Sequence, residues 1–301
     1  MKRVAISIGD PNGVGLEIAL RSHEQISTLA HPIYCVDTSL VEQASKLLDL
    51  KADLRLCELD LVHTISPASL CAEAGRYSYA SFAKAIELCE SGKVDAITTL
   101  PIHKEAWSLA GVPYKGHTDA LRDHFKQDAI MMLGCEELFV ALFTEHIPLS
   151  EVASHIKSDD LERFLLTLAG EIKTHKIAVL ALNPHAGDGG VLGSEEEQIR
   201  EAIACANTKL GRDLYDGVIV PDIAFTPAMR ERYTYFVAMY HDQGLAPLKA
   251  LYFEQSINIS LALPIVRTSV DHGTAFDIAY KGVASTASYI NAIKMAVELA
   301  K

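Results

Sequence analysis

The chain has 301 residues, 49% hydrophobic and 22% charged, with a net charge of −12 at neutral pH. That is ordinary for a globular protein and long enough for two lobes with sizeable cores. The acid excess argues against nucleic acid as a partner, while leaving room for a local cationic pocket that takes a small phosphate.

In chain order, the first element is the apolar run RVAISI, residues 3–8, closed by the turn GDPNGVG. The apolar stretch before Gly9 is too short for a secretory signal, and no later run reaches membrane-spanning length. A cytoplasmic enzyme or binding protein is expected. Six cysteines, at 35, 57, 71, 89, 135 and 205, include no CxxC pair, so they read as buried free thiols in a reducing compartment. Further short β-type runs follow: DAITTL (95–100), AIMML (129–133), LFVALF (138–143), KIAVLAL (176–182), DGVIVP (216–221) and YFVAMY (235–240). The helical patterns lie at 72–92, 157–174, 194–208 and 285–300, with Ser194 and Glu197 spaced as a capping box for the third. Such alternation predicts α/β layers around a largely parallel sheet. Polar clusters close several strands: GDPNGVG, TLPIHKEA, TEHIPL, NPHAGDGG and HDQG. Ligands in open α/β sheets sit beyond the carboxyl ends of strands, so these clusters predict one shared cleft.

His146, His185 and His241 each follow an apolar run. Three imidazoles with an open position make a catalytic divalent-metal site; a lone histidine reads better as a hydrogen-bonded core or loop residue, and three in equivalent places bring the metal reading level with it. Asp242 is placed to partner a histidine or accept a proton. Lys249, Asn258 and Arg267 can clamp a phosphate and a carboxylate. Lys249 also fits a solvated surface residue, whereas Arg267, directly after an apolar strand, needs a partner. In KGHTDAL, His117 and Thr118 offer donors at a helix start that favours an anion, or Thr118 simply caps it. The turn His272-Gly273-Thr274 and Asp277 beyond it, in DHGTAFDIAYKG, can hold adenine or phosphate with backbone amides, or form a plain surface turn. GxGxxG, GxxxxGK[ST] and GxSxG are all missing, which sets aside Rossmann, P-loop and hydrolase readings.

Taken together, GDPNGVGLEI, GHTD, TEHIPL, LNPHAGD, YHDQGLAPLK and INISLALPIVRTSVDHGTA resemble the 4-hydroxythreonine-4-phosphate dehydrogenase family of pyridoxal 5′-phosphate biosynthesis. The matching blocks run from residue 5 to about residue 280. DHGTAFDIAYKG is also similar to the adenine loop of isopropylmalate and isocitrate dehydrogenases. The resemblance implies their two-domain fold, a three-layer α/β sandwich with mixed, largely parallel sheets. A cofactor-side domain of residues 1–122 and 266–301 and a metal and dimerisation domain of residues 123–265 would flank the active site. It implies oxidation and decarboxylation of 4-phosphooxy-L-threonine to 3-amino-2-oxopropyl phosphate, or oxidation of a phosphorylated four-carbon sugar acid at the same site. NAD or NADP would accept the hydride, held by His272, Gly273, Thr274 and Asp277. One zinc, magnesium or cobalt ion would be held by His146, His185 and His241. Substrate would be held by His117, Thr118, Lys249, Asn258 and Arg267, with Lys249 and Asp242 moving protons. The family's homodimer draws its metal ligands from both subunits. Tyr280 stands where relatives usually carry glycine, and SYIN is not the commonest form of its segment.

Overall fold

The first apolar run forms β1 (Arg3–Ser7), and its side chains alternate. Val4 and Ile6 enter one core and Ala5 the core on the opposite face. A strand buried on both faces needs cover on both, as parallel sheets have. The computed structural model describes residues 1–300 and shows this arrangement in two units, one of Met1–Ala129 with the chain from Ile257 onward, the other of Ile130–Ser256.

After β1 the first unit continues with α1 (Gly15–Leu29), β2 (His31–Cys35), α2 (Thr38–Leu48), β3 (Leu56–Cys57), α3 (Ala72–Glu90), β4 (Ala96–Thr99), α4 (Lys104–Leu109) and α5 (His117–Phe125). The second unit holds β5 (Ile130–Cys135), β6 (Leu138–Leu142), α6 (Leu149–His155), α7 (Ser158–Glu171), β7 (Ile177–Leu180), α8 (Glu195–Leu210), β8 (Tyr215–Ile219), α9 (Pro227–Arg232), β9 (Tyr235–Ala238) and α10 (His241–Tyr252). The chain then returns to the first unit with β10 (Ile257–Leu261), β11 (Arg267–Val270) and α11 (Ala287–Leu299).

Strands of the first unit are ordered β3-β2-β1-β4-β11-β10, parallel except for β10, which runs antiparallel to β11. One face packs Leu16 and Ile18 of α1, Leu40 of α2 and Ile293 of α11. The other packs Phe82 of α3, Trp107 of α4 and Leu121 of α5. In the second unit the order is β5-β6-β9-β7-β8, parallel except for β5. Val140, Leu180 and Phe236 share a core with Leu245 and Leu248 of α10. Residues of the opposite parity, Ile177, Val179 and Val237, are buried as well. Each fully buried side chain of this size contributes roughly 1.5–3 kcal/mol. The expected α/β class with largely parallel sheets is what the chain forms.

Local signals explain several boundaries. Gly9, two residues past the end of β1, stands at φ +70°, where a Cβ would lie 2.2 Å from the Pro101 carbonyl oxygen, so only glycine fits. Cys71 caps α3, its sulfur accepting from the Ala74 N–H. Other expectations need correction. The Ser194–Glu197 capping box does not form: no side-chain bond caps α8 from Ser194, and the Ser194 N–H donates to Glu195 instead. The six cysteines are free, but only Cys35 and Cys135 are buried. Arg267 opens β11 rather than following a strand. No helix among the described residues is long and apolar enough to cross a membrane.

Candidate active site

Arg267 is the most unusual charge in the first unit. It is 3% exposed, and its guanidinium donates to Thr99 Oγ1 (2.8 and 3.2 Å), Ser260 Oγ (3.1 Å) and Asn258 Oδ1 (3.4 Å). All three partners are neutral, and no carboxylate pairs with Arg267 among the described residues. Burial pushes its pKa down to about 9, which leaves it charged at neutral pH. A buried charge without a counter-charge is costly unless an anion completes it. The cradle follows from register. Ser260 lies opposite Arg267 across the β10–β11 pair, and Asn258, two residues earlier, faces the same side.

His117 lies within electrostatic reach of that charge. It is the first residue of α5, buried, its ring edge-on to Phe82 (4.7 Å) and Trp107 (5.5 Å). Its Nε2 has no partner. Burial first, and the Arg267 charge second, hold its pKa well below the ordinary value, so it is a neutral imidazole. The aromatic wall is itself anchored, since the Trp107 indole donates to Ser78 Oγ (2.7 Å). Thr118 is the second residue of α5 and does not cap it; Gly116 holds the N-cap position.

β1, β4 and β11 are neighbours and run parallel, so the segments after them share one edge of the sheet. Each presents a buried polar atom with no partner: Asp10 Oδ2, His103 Nδ1 and His272 Nε2. Burial raises the Asp10 pKa against the lowering effects of the Asn12 N–H and His103. His103 stacks on Phe276 at 5.1 Å. The Thr274 carbonyl accepts from the Val14 N–H (3.0 Å), His272 Nδ1 bonds the Gly273 carbonyl (2.9 Å), and Asp277 is exposed. Tyr280 sits at φ +59°, a conformation that glycine takes at least cost. Here the phenol compensates by donating to the Pro11 carbonyl (2.7 Å). Three orphaned polar atoms at one sheet edge fit a polar ligand such as a nucleotide.

The second unit repeats the logic. β6, β9 and β7 are parallel neighbours, and His146, His241 and His185 follow them in that order. The rings of His146 and His241 lie 5.4 Å apart, close enough to share an ion. Asp242 Oδ1 stands 2.6 Å from His241 Nδ1, which leaves Nε2 as the ligating nitrogen. His185 is exposed and does not join them: no set of three metal-binding side chains is assembled among the described residues. It opens a run at positive φ, His185–Gly189, in which each non-glycine residue costs on the order of 1–2 kcal/mol. The donors suit a divalent cation, and the structure brings two of the three histidines singled out in the sequence together. Lys249, in the last turn of α10, is half-buried with its Nζ 5.9 Å from the Phe253 ring.

Sequence reasoning missed Thr99, Ser260, Asp10 and His103. The alternation of Asn258 and Ser260 in INIS was the available signal for one. Asp10 and His103 lay in motifs already marked as strand-end clusters, but only the strand order shows them to be neighbours of His272.

A family model described as pyridoxal phosphate biosynthetic protein PdxA matches residues 18–296. A protein of Sulfurimonas denitrificans named 4-hydroxythreonine-4-phosphate dehydrogenase is 58% identical over 299 residues, covering 99% of this chain and 97% of that one. One of the same name from Helicobacter pylori is 45% identical over 301 residues, covering 97% and 98%. The crystal structure of 4-hydroxythreonine-4-phosphate dehydrogenase from Klebsiella pneumoniae superposes with a TM-score of 0.84 at 32% identity, covering 100% of both chains.

Proposed function

The chain belongs to the PdxA family of pyridoxal phosphate biosynthetic proteins, and from that premise we propose that it oxidises and decarboxylates 4-phosphooxy-L-threonine to 3-amino-2-oxopropyl phosphate and CO2. The observation that carries the proposal is the buried Arg267, ringed by neutral acceptors beside a neutral His117. That is a cradle for an anionic substrate group.

The chemistry removes hydride from C3 and a proton from its hydroxyl. The resulting β-keto acid loses CO2, the electron pair passes to the C3 oxygen, and a proton returns at C2. When bound, a divalent ion supplies positive charge at the C3 oxygen and a nicotinamide supplies the hydride acceptor. The chain's own residues bind and orient. Arg267, held by Thr99, Ser260 and Asn258, pairs with an anionic end of the substrate. A neutral His117 donates from Nε2 to the same group without repelling Arg267, and Thr118 adds donors at the start of α5. His146 and His241 hold the ion with Asp242 orienting the latter, while His272, Gly273, Thr274 and Asp277 hold NAD or NADP. Lys249 pairs with the second anionic end or moves the proton.

The third ligand, His185, comes from a second copy in this reading. Support for a homodimer comes from exposed apolar residues a few positions along the chain from two of the histidines: Leu149 (68%), Val191 (78%) and Leu192 (46%). The test supplies purified chain with 4-phosphooxy-L-threonine, NAD and a divalent ion, and follows NADH and CO2 together. Equimolar release of both is expected. NADH without CO2, or activity only on a phosphorylated sugar acid, would overturn the assignment.

A further inference from the structure

We propose that Glu196 is a positioning residue that holds the His185 turn in its left-handed form and so sets the third imidazole of the metal site; the inference rests on the metal reading above. Glu196 lies in the first turn of α8 and is 2% exposed. Its Oε1 accepts from the N–H of Leu182 (3.1 Å) and Asn183 (2.7 Å), and its Oε2 accepts from Asn183 Nδ2 (3.1 Å). These residues lead directly into Pro184 and His185. The same Asn183 amide donates to Glu195 Oε2 (2.7 Å), so adjacent carboxylates grip one side chain. No lysine or arginine neutralises Glu196 among the described residues. N–H donors and the amino end of α8 stabilise its charge instead.

The turn is packed on this carboxylate. Gly187 stands at φ +77°, and a Cβ there would lie 2.6 Å from Glu196 Oε2. On the other side a Cβ at Gly193 would lie 2.2 Å from Asn183 Nδ2. The segment therefore wraps the Glu196–Asn183 pair. His185, Ala186 and Asp188 are non-glycine residues held at positive φ. Backbone of that kind persists only where its surroundings enforce it. Glu196 supplies the acceptors at the entrance to the turn, and without them the run relaxes and carries His185 away. A group that only starts a helix would not have this consequence.

The test titrates chelator-stripped protein with Co2+, read by the absorption of the bound ion, in wild type, His185→Ala, Glu196→Ala and Glu196→Gln. Amide exchange over residues 182–193 is measured on the metal-free forms. Glu196→Ala is expected to weaken Co2+ binding roughly 10–100-fold, to give the spectrum of His185→Ala and to speed exchange across the turn. Glu196→Gln keeps one carbonyl oxygen for Leu182 and Asn183 and should fall between. Wild-type Co2+ affinity in Glu196→Ala, with weakened binding in His185→Ala, overturns the positioning role and leaves the metal reading standing. Unchanged binding in His185→Ala overturns the metal reading and the inference with it. If Glu196→Ala fails to fold, Glu196→Gln decides between the same outcomes.

Discussion

Arg267 and His117 are both buried, and neither the guanidinium nor the imidazole Nε2 meets a carboxylate among the described residues. Removing the guanidinium in Arg267→Ala should lower kcat/KM by a factor worth about 1.5–3 kcal/mol, mostly through substrate KM. Steady-state kinetics check this, and an unchanged KM contradicts it. Arg267→Lys should recover little, since a point charge cannot bridge Thr99, Ser260 and an anion as a planar fork does. His117 makes a pH prediction. Its pKa is held well below 6.5 by burial and by Arg267, so below 6.5 the unfolded chain binds a proton that the folded chain refuses. The stability from this site is complete above 6.5 and declines as pH falls toward the folded-state value. Thermal melts of His117→Gln should decline less than wild type over that interval; parallel declines would contradict it. The sequence showed Arg267, Asn258 and His117 as candidates because strand-end charges and helix-start donors are locally readable. It could not show Thr99 on a neighbouring strand, or that Trp107 and Phe82 wall in His117, because those contacts depend on tertiary packing.

At the scale of elements, α3 and α4 form the wall behind His117 and meet at Gly75. A Cβ on Gly75 would stand 2.0 Å from the Ala106 carbonyl oxygen, so Gly75→Ala must push the helices apart. Overpacking of this kind costs typically 1–3 kcal/mol. The variant should melt lower and, because Trp107 shifts with α4, show a raised substrate KM. A melting temperature and KM equal to wild type would contradict the packing account. Four of the five longest helices, α3, α7, α8 and α11, were legible because their apolar periodicity extends over many residues, with ends displaced by a few residues, whereas α1 was not among the helical patterns. The short apolar runs of β1 and β4–β9 were equally plain, but β2, β3 and β10 were not read as strands. The α8 cap was misread, because spacing alone cannot choose among clustered glutamates. Glu195 takes the Ser194 N–H, and Glu196 turns inward to Leu182 and Asn183. The left-handed turn after Pro184 was visible only as a glycine-rich stretch, since non-glycine residues at positive φ leave no local pattern.

For the whole molecule, the strand orders do what no single motif could. They bring Asp10, His103 and His272 to one sheet edge and His146, His185 and His241 to another. If His185 acts from a second copy, activity and metal content should both depend on association. Sedimentation of the wild type should give a dimer, and Val191→Asp should give monomers with reduced Co2+ affinity. A fully active monomer would contradict the shared site. NADH formation from 4-phosphooxy-L-threonine, followed before and after chelation, tests most sharply whether the chain is a divalent-ion-dependent dehydrogenase acting on a phosphorylated substrate. No turnover is expected in metal-free protein, with restoration on adding a divalent ion and none in His241→Ala; full turnover in metal-free protein would overturn the proposed function.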